Sequence, residues 1–319
     1  MGLITLVEYA KGLDKGASRA VVEQFAASSD IFEALPFEGL AEGAPTYEGL
    51  RETVMPTNLS FRGINEAAPA GSGKLSPFSE SSYIFDYDIP VDGAIIRRYG
   101  MERLNQHTMM ATKAAGKLWT DTFFSGDNAA NPREFDGLQK RANRFANRTV
   151  VNMGANASAS AGGDALSLYS IDKAIGNTSD PTHLLFSWNL MPRFIQAARD
   201  TTIAGFVIQS WDAIGTPKMT YNNLPILWGY RKDKWGVSLP FNEVGAGGGG
   251  AVTTSGYVLS LKEGGLRGIQ LQPLQVEGPK KLEDDITWKT HLSWDVGLVD
   301  EAEYCMTRIS SIKDAPFVK

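Results

Sequence analysis

Apolar and polar positions alternate with different periods along the chain, and each period predicts an element. Thr5-Leu6-Val7-Glu8 has the form of a capping box and opens a short helix that Gly12 stops. Ser18 to Ala27, with Ala20, Val21, Gln24 and Phe25 at helical spacing, predicts a second helix. Asp30 to Leu35 predicts one further turn, closed by Pro36. Pieces this short form no core alone, so the segment reads as an arm lying on another surface. Thr53 to Arg62 and Ser79 to Ile89 read as strands. In the second, Tyr83, Phe85, Tyr87 and Ile89 alternate with Ile84, Asp86, Asp88 and Pro90. Between them Gly63 to Phe78 is rich in Gly, Ala, Pro and Ser, which predicts a two-stranded ribbon with a wide, flexible tip. Such a ribbon is marginal in water and must rest on something else.

Asp92 can cap the longest helical run, Gly93 to Phe124, and Gly126 can end it as a left-handed residue. A run of roughly 32 residues at about 1.5 Å each is a rod near 48 Å long. Ser125-Gly126-Asp127 then opens a loop that reaches Phe135-Asp136-Gly137-Leu138. Arg133, Lys140, Arg141, Arg144 and Arg148 form a basic stretch, and Asn152 to Asp164 reads as a mobile loop. His183–Ser187 reads as a strand feeding a helix that Asn189 caps, with Pro192 in its first turn. Phe206–Ser210 and Lys218–Trp228 read as strands, with an Asn222-Asn223 turn inside the second region. Near the C-terminus Ile286, Trp288, Thr290, Leu292, Trp294, Val296 and Leu298 share one face of a long strand, with Tyr304 to Ile312 as its pairing partner. The fold class is α+β.

Composition narrows the function. Of 319 residues, 43% are hydrophobic and 21% charged, as in a folded protein. With 3 histidines and 1 cysteine, an intrachain disulfide framework, a Cys-rich zinc site and an iron–sulfur cluster are all excluded. A net charge of -5 gives no overall field that attracts nucleic acid. No signal peptide or membrane-spanning run is visible, so a cytoplasmic protein without membrane contact is expected.

Candidate chemistry is thin. Ala70-Gly71-Ser72-Gly73-Lys74 approaches a phosphate loop, but Ala68 and Leu75 occupy positions that need Gly and Ser or Thr. Gly245-Ala246-Gly247-Gly248-Gly249-Gly250 satisfies G-x-G-x-x-G, yet Val252 to Gly256 is poor helix-opening sequence, so the run reads as a mobile loop. His107 reads as structural and His291 as exposed. Asp86 and Asp88 share a strand face that suits alternating surface charge, and Cys305 has no activating neighbours. No catalytic, metal or cofactor constellation emerges, and no enzyme is expected.

Taken in order, these elements resemble the major capsid proteins of tailed bacteriophages, with the fold named for phage Hong Kong 97. Residues 1–45 look like the family's N-arm and 46–91 like its E-loop ribbon. Residues 92–163 look like the peripheral domain with its spine helix. Residues 164–278 look like the axial domain, and 279–319, with Trp294-Asp295-Val296-Gly297-Leu298 and Arg308-Ile309, like the returning strands of the peripheral domain. Ser125-Gly126-Asp127 with Phe135-Asp136-Gly137-Leu138 is similar to the family's turn after that helix.

The resemblance implies pentamers and hexamers of an icosahedral head enclosing double-stranded DNA, in a virion assembled in the host bacterial cytoplasm. Because the ribbon begins near residue 46, it also implies a separate scaffolding protein, with a portal and, as an optional addition, a decoration protein. Phe25, Arg62, Asn65, Glu66, Gly71, Gly73, Lys74 and Phe78 become candidates for contact between subunits. Arg133, Lys140, Arg141 and Arg144 become candidates for nonspecific contact with DNA. Lys74 also sits where some family members carry a crosslinking lysine, without an identifiable partner here. Competing readings are an encapsulin-type shell with the same fold, an α/β nucleotide-binding enzyme using residues 245–250, and a generic interaction module.

Overall fold

The computed structural model describes residues 3–13, 16–200, 207–211, 217–230, 236–282 and 286–318. Helix Leu6–Gly12 begins with the expected capping box: the Thr5 hydroxyl accepts the Glu8 amide at 3.3 Å, and the Glu8 carboxylate accepts the Thr5 amide at 3.1 Å. Helices Ala17–Ala26 and Ile31–Ala34 follow. The surface on which this arm lies is the chain's own body. Leu6, Val22, Phe25, Phe32 and Phe37 are buried in one core with Trp119 and Trp294. Phe25 meets Trp294 edge-on at 5.8 Å, Phe32 packs on Trp119 at 4.6 Å, and the two tryptophans stack at 5.8 Å. Asp30 does not cap its own helix. Its carboxylate accepts the amides of Trp228 at 2.6 Å and Gly229 at 2.8 Å, fastening the arm to a distant part of the chain.

The expected single rod is two helices, Gly93–Tyr99 and Met101–Ser125. Asp92 caps the first by accepting the Ala94 amide at 2.7 Å. Gly100 ends it with φ 83 and ψ 170, a conformation that only glycine adopts readily, and no helix passes through it. The longer helix buries Leu104, Thr108, Thr112, Ala115, Trp119 and Phe123, a narrow stripe at helical spacing. Gly126 is not left-handed (φ -53). It is glycine because a Cβ there would lie 2.3 Å from the Phe135 carbonyl oxygen, and the Gly137 amide donates to the Gly126 carbonyl at 2.8 Å.

Two sheets organise the rest. The four-stranded sheet runs in the order Phe37–Gly39, Leu266–Lys281, Thr287–Asp300, Tyr83–Asp92. The strand expected over Ser79–Ile89 is thus divided at Ser82. Lys74–Ser81 pairs with Thr46–Val54 as the ribbon, while Tyr83–Asp92 pairs with Thr287–Asp300. The first ribbon strand lies upstream of the expected Thr53–Arg62.

The larger sheet, nine-stranded among the described residues, has Met306–Val318 beside Ala251–Leu259, followed by His183–Leu185 and Leu224–Leu227. Met306–Val318 therefore does not return onto Thr287–Asp300 as expected. Ile309 and Ile312 instead pack with Leu184, Phe186 and Val258 in a second core. Asn222 (φ 49) and Asn223 (φ 64) form the expected hairpin turn between Pro217–Tyr221 and Leu224–Leu227. Of the expected strand Phe206–Ser210, Phe206 lies outside the described residues and Val207–Trp211 is a strand. Helix Met191–Arg199 carries Pro192 in its first turn, but Leu190 rather than Asn189 is its N-cap.

Candidate intersubunit surface

Among the described residues, strands Thr46–Val54 and Lys74–Ser81 form a two-stranded sheet of their own, the ribbon. Its register runs from Thr46 opposite Ser81 to Val54 opposite Lys74, and residues 55–73 form the tip. On the shaft, Tyr47 and Phe78 rings lie 6.2 Å apart, and the Arg51 guanidinium covers the Phe78 ring at 4.4 Å. The tip is a built turn. Arg62 Nη1 donates to the Glu66 carbonyl at 2.9 Å, the Gly63 amide donates to the Glu66 carboxylate at 2.7 Å, and Asn65 takes a φ of 66. Phe61 (108% exposed), Ile64 (96%), Leu59 (79%) and Met55 (77%) all stand exposed on this tip. Four large apolar side chains left bare on one loop mark an interaction site.

The base of the ribbon is held by charge. Asp300, fully buried, accepts from Arg141, and its other carboxylate oxygen lies 2.6 Å from Arg148 Nη1. Glu80, on the second ribbon strand, accepts from Arg141 Nη2 at 2.9 Å and also pairs with Arg144. Arg144 bridges onward to Asp136 at 2.8 Å. Arg51, on the first strand, donates to the Glu301 carbonyl at 2.8 Å and to the Asp300 carbonyl. Both ribbon strands are thus tied to the point where the chain leaves the four-stranded sheet. Burial by itself would push the Asp300 carboxyl up, but Arg141, Arg148 and Arg144 outweigh it and hold the group below its usual value of 3.8.

This hub corrects the sequence reading of the basic stretch. Arg141, at 0% side-chain exposure, has no surface to offer a phosphate, and Arg144 is spent on three carboxylates. Lys140 is partly exposed but paired with Asp127 at 2.8 Å, and Arg133 is exposed. Phe25 is also withdrawn as a contact between subunits, because it is fully buried in the main core. Arg62, Asn65, Glu66, Gly71, Gly73 and Lys74 all lie exposed on the tip or at its base, and Phe78 is half-buried on the shaft. Sequence reading missed Arg51, Glu80 and Asp300 as partners. The signal available for Asp300 was its place at the end of the apolar run Val296–Val299, where an isolated carboxylate needs a buried cation.

The remaining motifs take ordinary structural places. The run 245–250 leads into strand Ala251–Leu259, so no helix N-terminus faces it. It is pinned rather than loose: the Ala246 amide donates to the Ser311 hydroxyl at 2.8 Å, and the Gly248 carbonyl accepts the Gly162 amide at 2.8 Å. The loop 152–164 is pinned too, through the Asp164 carboxylate, which accepts the Ser160 amide at 2.8 Å. His107 is exposed, and Asp88 is held by Lys289 and His291, each at 2.6 Å. Burial pushes the Cys305 thiol up to about 12, which makes it inert. Among the described residues no cluster of His, Cys, Asp and Glu could hold a metal ion, and no helix is long and apolar enough to cross a membrane.

By sequence, no family model and no curated protein matches the chain. By structure, it is similar to a chain of Mycobacterium phage Bobi (TM-score 0.59, 15% identity, 90% of this chain and 91% of that one). It is also similar to the SrpI encapsulin of Synechococcus elongatus PCC 7942 (TM-score 0.59, 12% identity, 100% and 99%). A third similar structure is the capsid of a native GTA particle (TM-score 0.58, 11% identity, 94% and 92%). At these identities the likeness is one of fold, and the fold is the Hong Kong 97 type expected from the order of the elements.

Proposed function

We propose that the protein is the repeating subunit of a closed shell: a major capsid protein of the tailed-bacteriophage kind, assembling into the pentamers and hexamers of an icosahedral head around double-stranded DNA. The ribbon tip carries the proposal. A soluble monomer gains nothing from a firmly aimed projection with Phe61 and Ile64 bare at its end. A shell covers each tip with a neighbour, and many modest contacts made together lock the assembly. In this reading the long helix and the four-stranded sheet form the peripheral domain, and the larger sheet forms the axial domain. Leu266–Lys281 then belongs to the first and Met306–Val318 to the second. Contact with DNA is nonspecific, through exposed cations such as Arg133. Scaffolding and portal partners, and a place in the virion after assembly in the host cytoplasm, belong to the same reading.

An encapsulin-type compartment is the second reading, favoured by the end-to-end match to the encapsulin chain, 100% and 99% covered. Negative-stain electron microscopy of the expressed protein, alone and with a scaffold from its gene neighbourhood, is expected to display rings or closed shells. A monodisperse monomer under every condition would sink both shell readings. Nuclease-protected DNA inside the particles supports the head, whereas a co-purifying enzyme supports the compartment.

A further inference from the structure

We infer that double-stranded DNA binds through its phosphate backbone to Arg97, Arg98, Arg103 and Lys113, around the start of the long helix. This rests on the shell reading and names the face of the subunit that meets the contents of the shell. Residues 93–113 carry these four cations and one carboxylate, Glu102, so the stretch is +3 in a chain of net charge -5. All four residues are exposed, and among the described residues none has a carboxylate partner. Lys140 and Lys280, also exposed, each lie 2.8 Å from one, Asp127 and Glu277. Other exposed cations without such a partner, Lys11 and Lys173 for example, stand apart along the chain.

The helix is built without internal partners for these charges. Three and four residues from Arg103 stand Tyr99, Gly100, Gln106 and His107; around Lys113 stand Met109, Met110, Gly116 and Lys117. Acids at those positions would form the pairs that neutralise a helix surface. Arg103 instead donates to Gln106 at 3.0 Å and covers the Tyr99 ring at 5.7 Å, which holds the guanidinium and leaves its charge uncompensated. Like charges gathered without counterparts repel, a cost that a partner of opposite sign removes. Arg103 and Lys113 lie on the side of the helix away from the buried stripe of Leu104, Thr108, Thr112 and Ala115. Their separation is about 15 Å of helix axis. Duplex DNA presents roughly nine charges over that length. Cations spread along a rod on flexible stems match an evenly charged polymer. The centre of a protein interface is instead poor in lysine and built round a buried anchor.

The test titrates the unassembled full-length subunit against a short fluorescent duplex of mixed sequence across a sodium chloride series. Changing all four residues to Gln is expected to weaken binding about tenfold or more at low salt and to flatten the log–log salt slope by about 3 to 4. Arg103→Gln alone is expected to flatten it by about 0.9. The urea midpoint of the fourfold variant stays where it is or rises; a fall would assign the cations to the fold and overturn the inference. An equal loss of DNA binding from Lys11→Gln with Lys173→Gln would reduce the effect to net charge and overturn it too. A fourfold variant that binds DNA as before but no longer assembles would give this face to a neighbouring protein instead. Shells that form normally while affinity and slope are untouched overturn the inference and leave the shell reading standing. A protein that never assembles overturns the shell reading, and the inference with it.

Discussion

Asp300 is a carboxylate with no exposed surface among four guanidinium groups, those of Arg51, Arg141, Arg144 and Arg148. A buried pair of this kind adds little beyond well-packed apolar residues, but removing one member leaves the other charged and dry. Asp300→Ala is expected to cost about 3–5 kcal/mol in urea unfolding of the unassembled subunit. Lys262→Ala, which breaks the exposed pair with Asp180, is expected to change nothing measurable. Equal effects would show that the hub is idle. The sign with pH follows from the depressed carboxyl. Its contribution is complete above the unfolded value near 3.8 and is lost as pH falls through the lower folded value, so the ribbon base loosens only in strong acid. The apolar run before Asp300 marked it as needing a buried cation, but which cation was not legible, because Asp300 and Arg141 are far apart in sequence and only the fold joins them.

For the ribbon as an element, the test is removal of its tip. Deleting Thr57–Gly71 joins Pro56 to Ser72 and leaves a four-residue loop between Val54 and Lys74, a length that hairpins tolerate. The shortened subunit is expected to keep its urea midpoint, because nothing in its own core touches the tip, and to form no shells by electron microscopy. Normal shells would remove the tip from assembly. Which elements were legible follows from what each one packs against. Tyr83–Asp92 was readable as a strand because Phe85, Ile89 and Val91 face a core while their neighbours face water. Thr46–Val54 was not, because its half-covered face is Tyr47, Gly49 and Arg51 while Leu50 faces water, so the alternation carries no apolar period. The partner of Met306–Val318 was also hidden, since an apolar strand fits either of two cores and its period does not say which. The break at Gly100 was written in the sequence as a lone glycine, which helical spacing on both sides obscured.

At the scale of the whole molecule, the ion pairs that Asp300 and Glu80 make with Arg141 are buried or nearly so, whereas the projecting tip leaves Phe61 and Ile64 bare. Assembly driven by such ends is expected to persist in 1 M sodium chloride, where charges are screened beyond about 3 Å. Light scattering of shells across a salt series checks this, and dissolution at high salt would assign the contacts to charge instead. The order of arm, ribbon, helix and sheets was enough to reach the fold, whereas the surfaces that matter arise only after folding. The ribbon's fastening has one further consequence. Eight paired residues at about 3.3 Å each make a lever of roughly 26 Å, so a wobble of about 5° at its foot carries its end through some 2 Å. That is a large shift on the scale of a side-chain contact. The arginines at its foot therefore act as an aiming mechanism, and on the proposed shell function their stiffness sets how much curvature a lattice of copies tolerates before neighbours lose their grip.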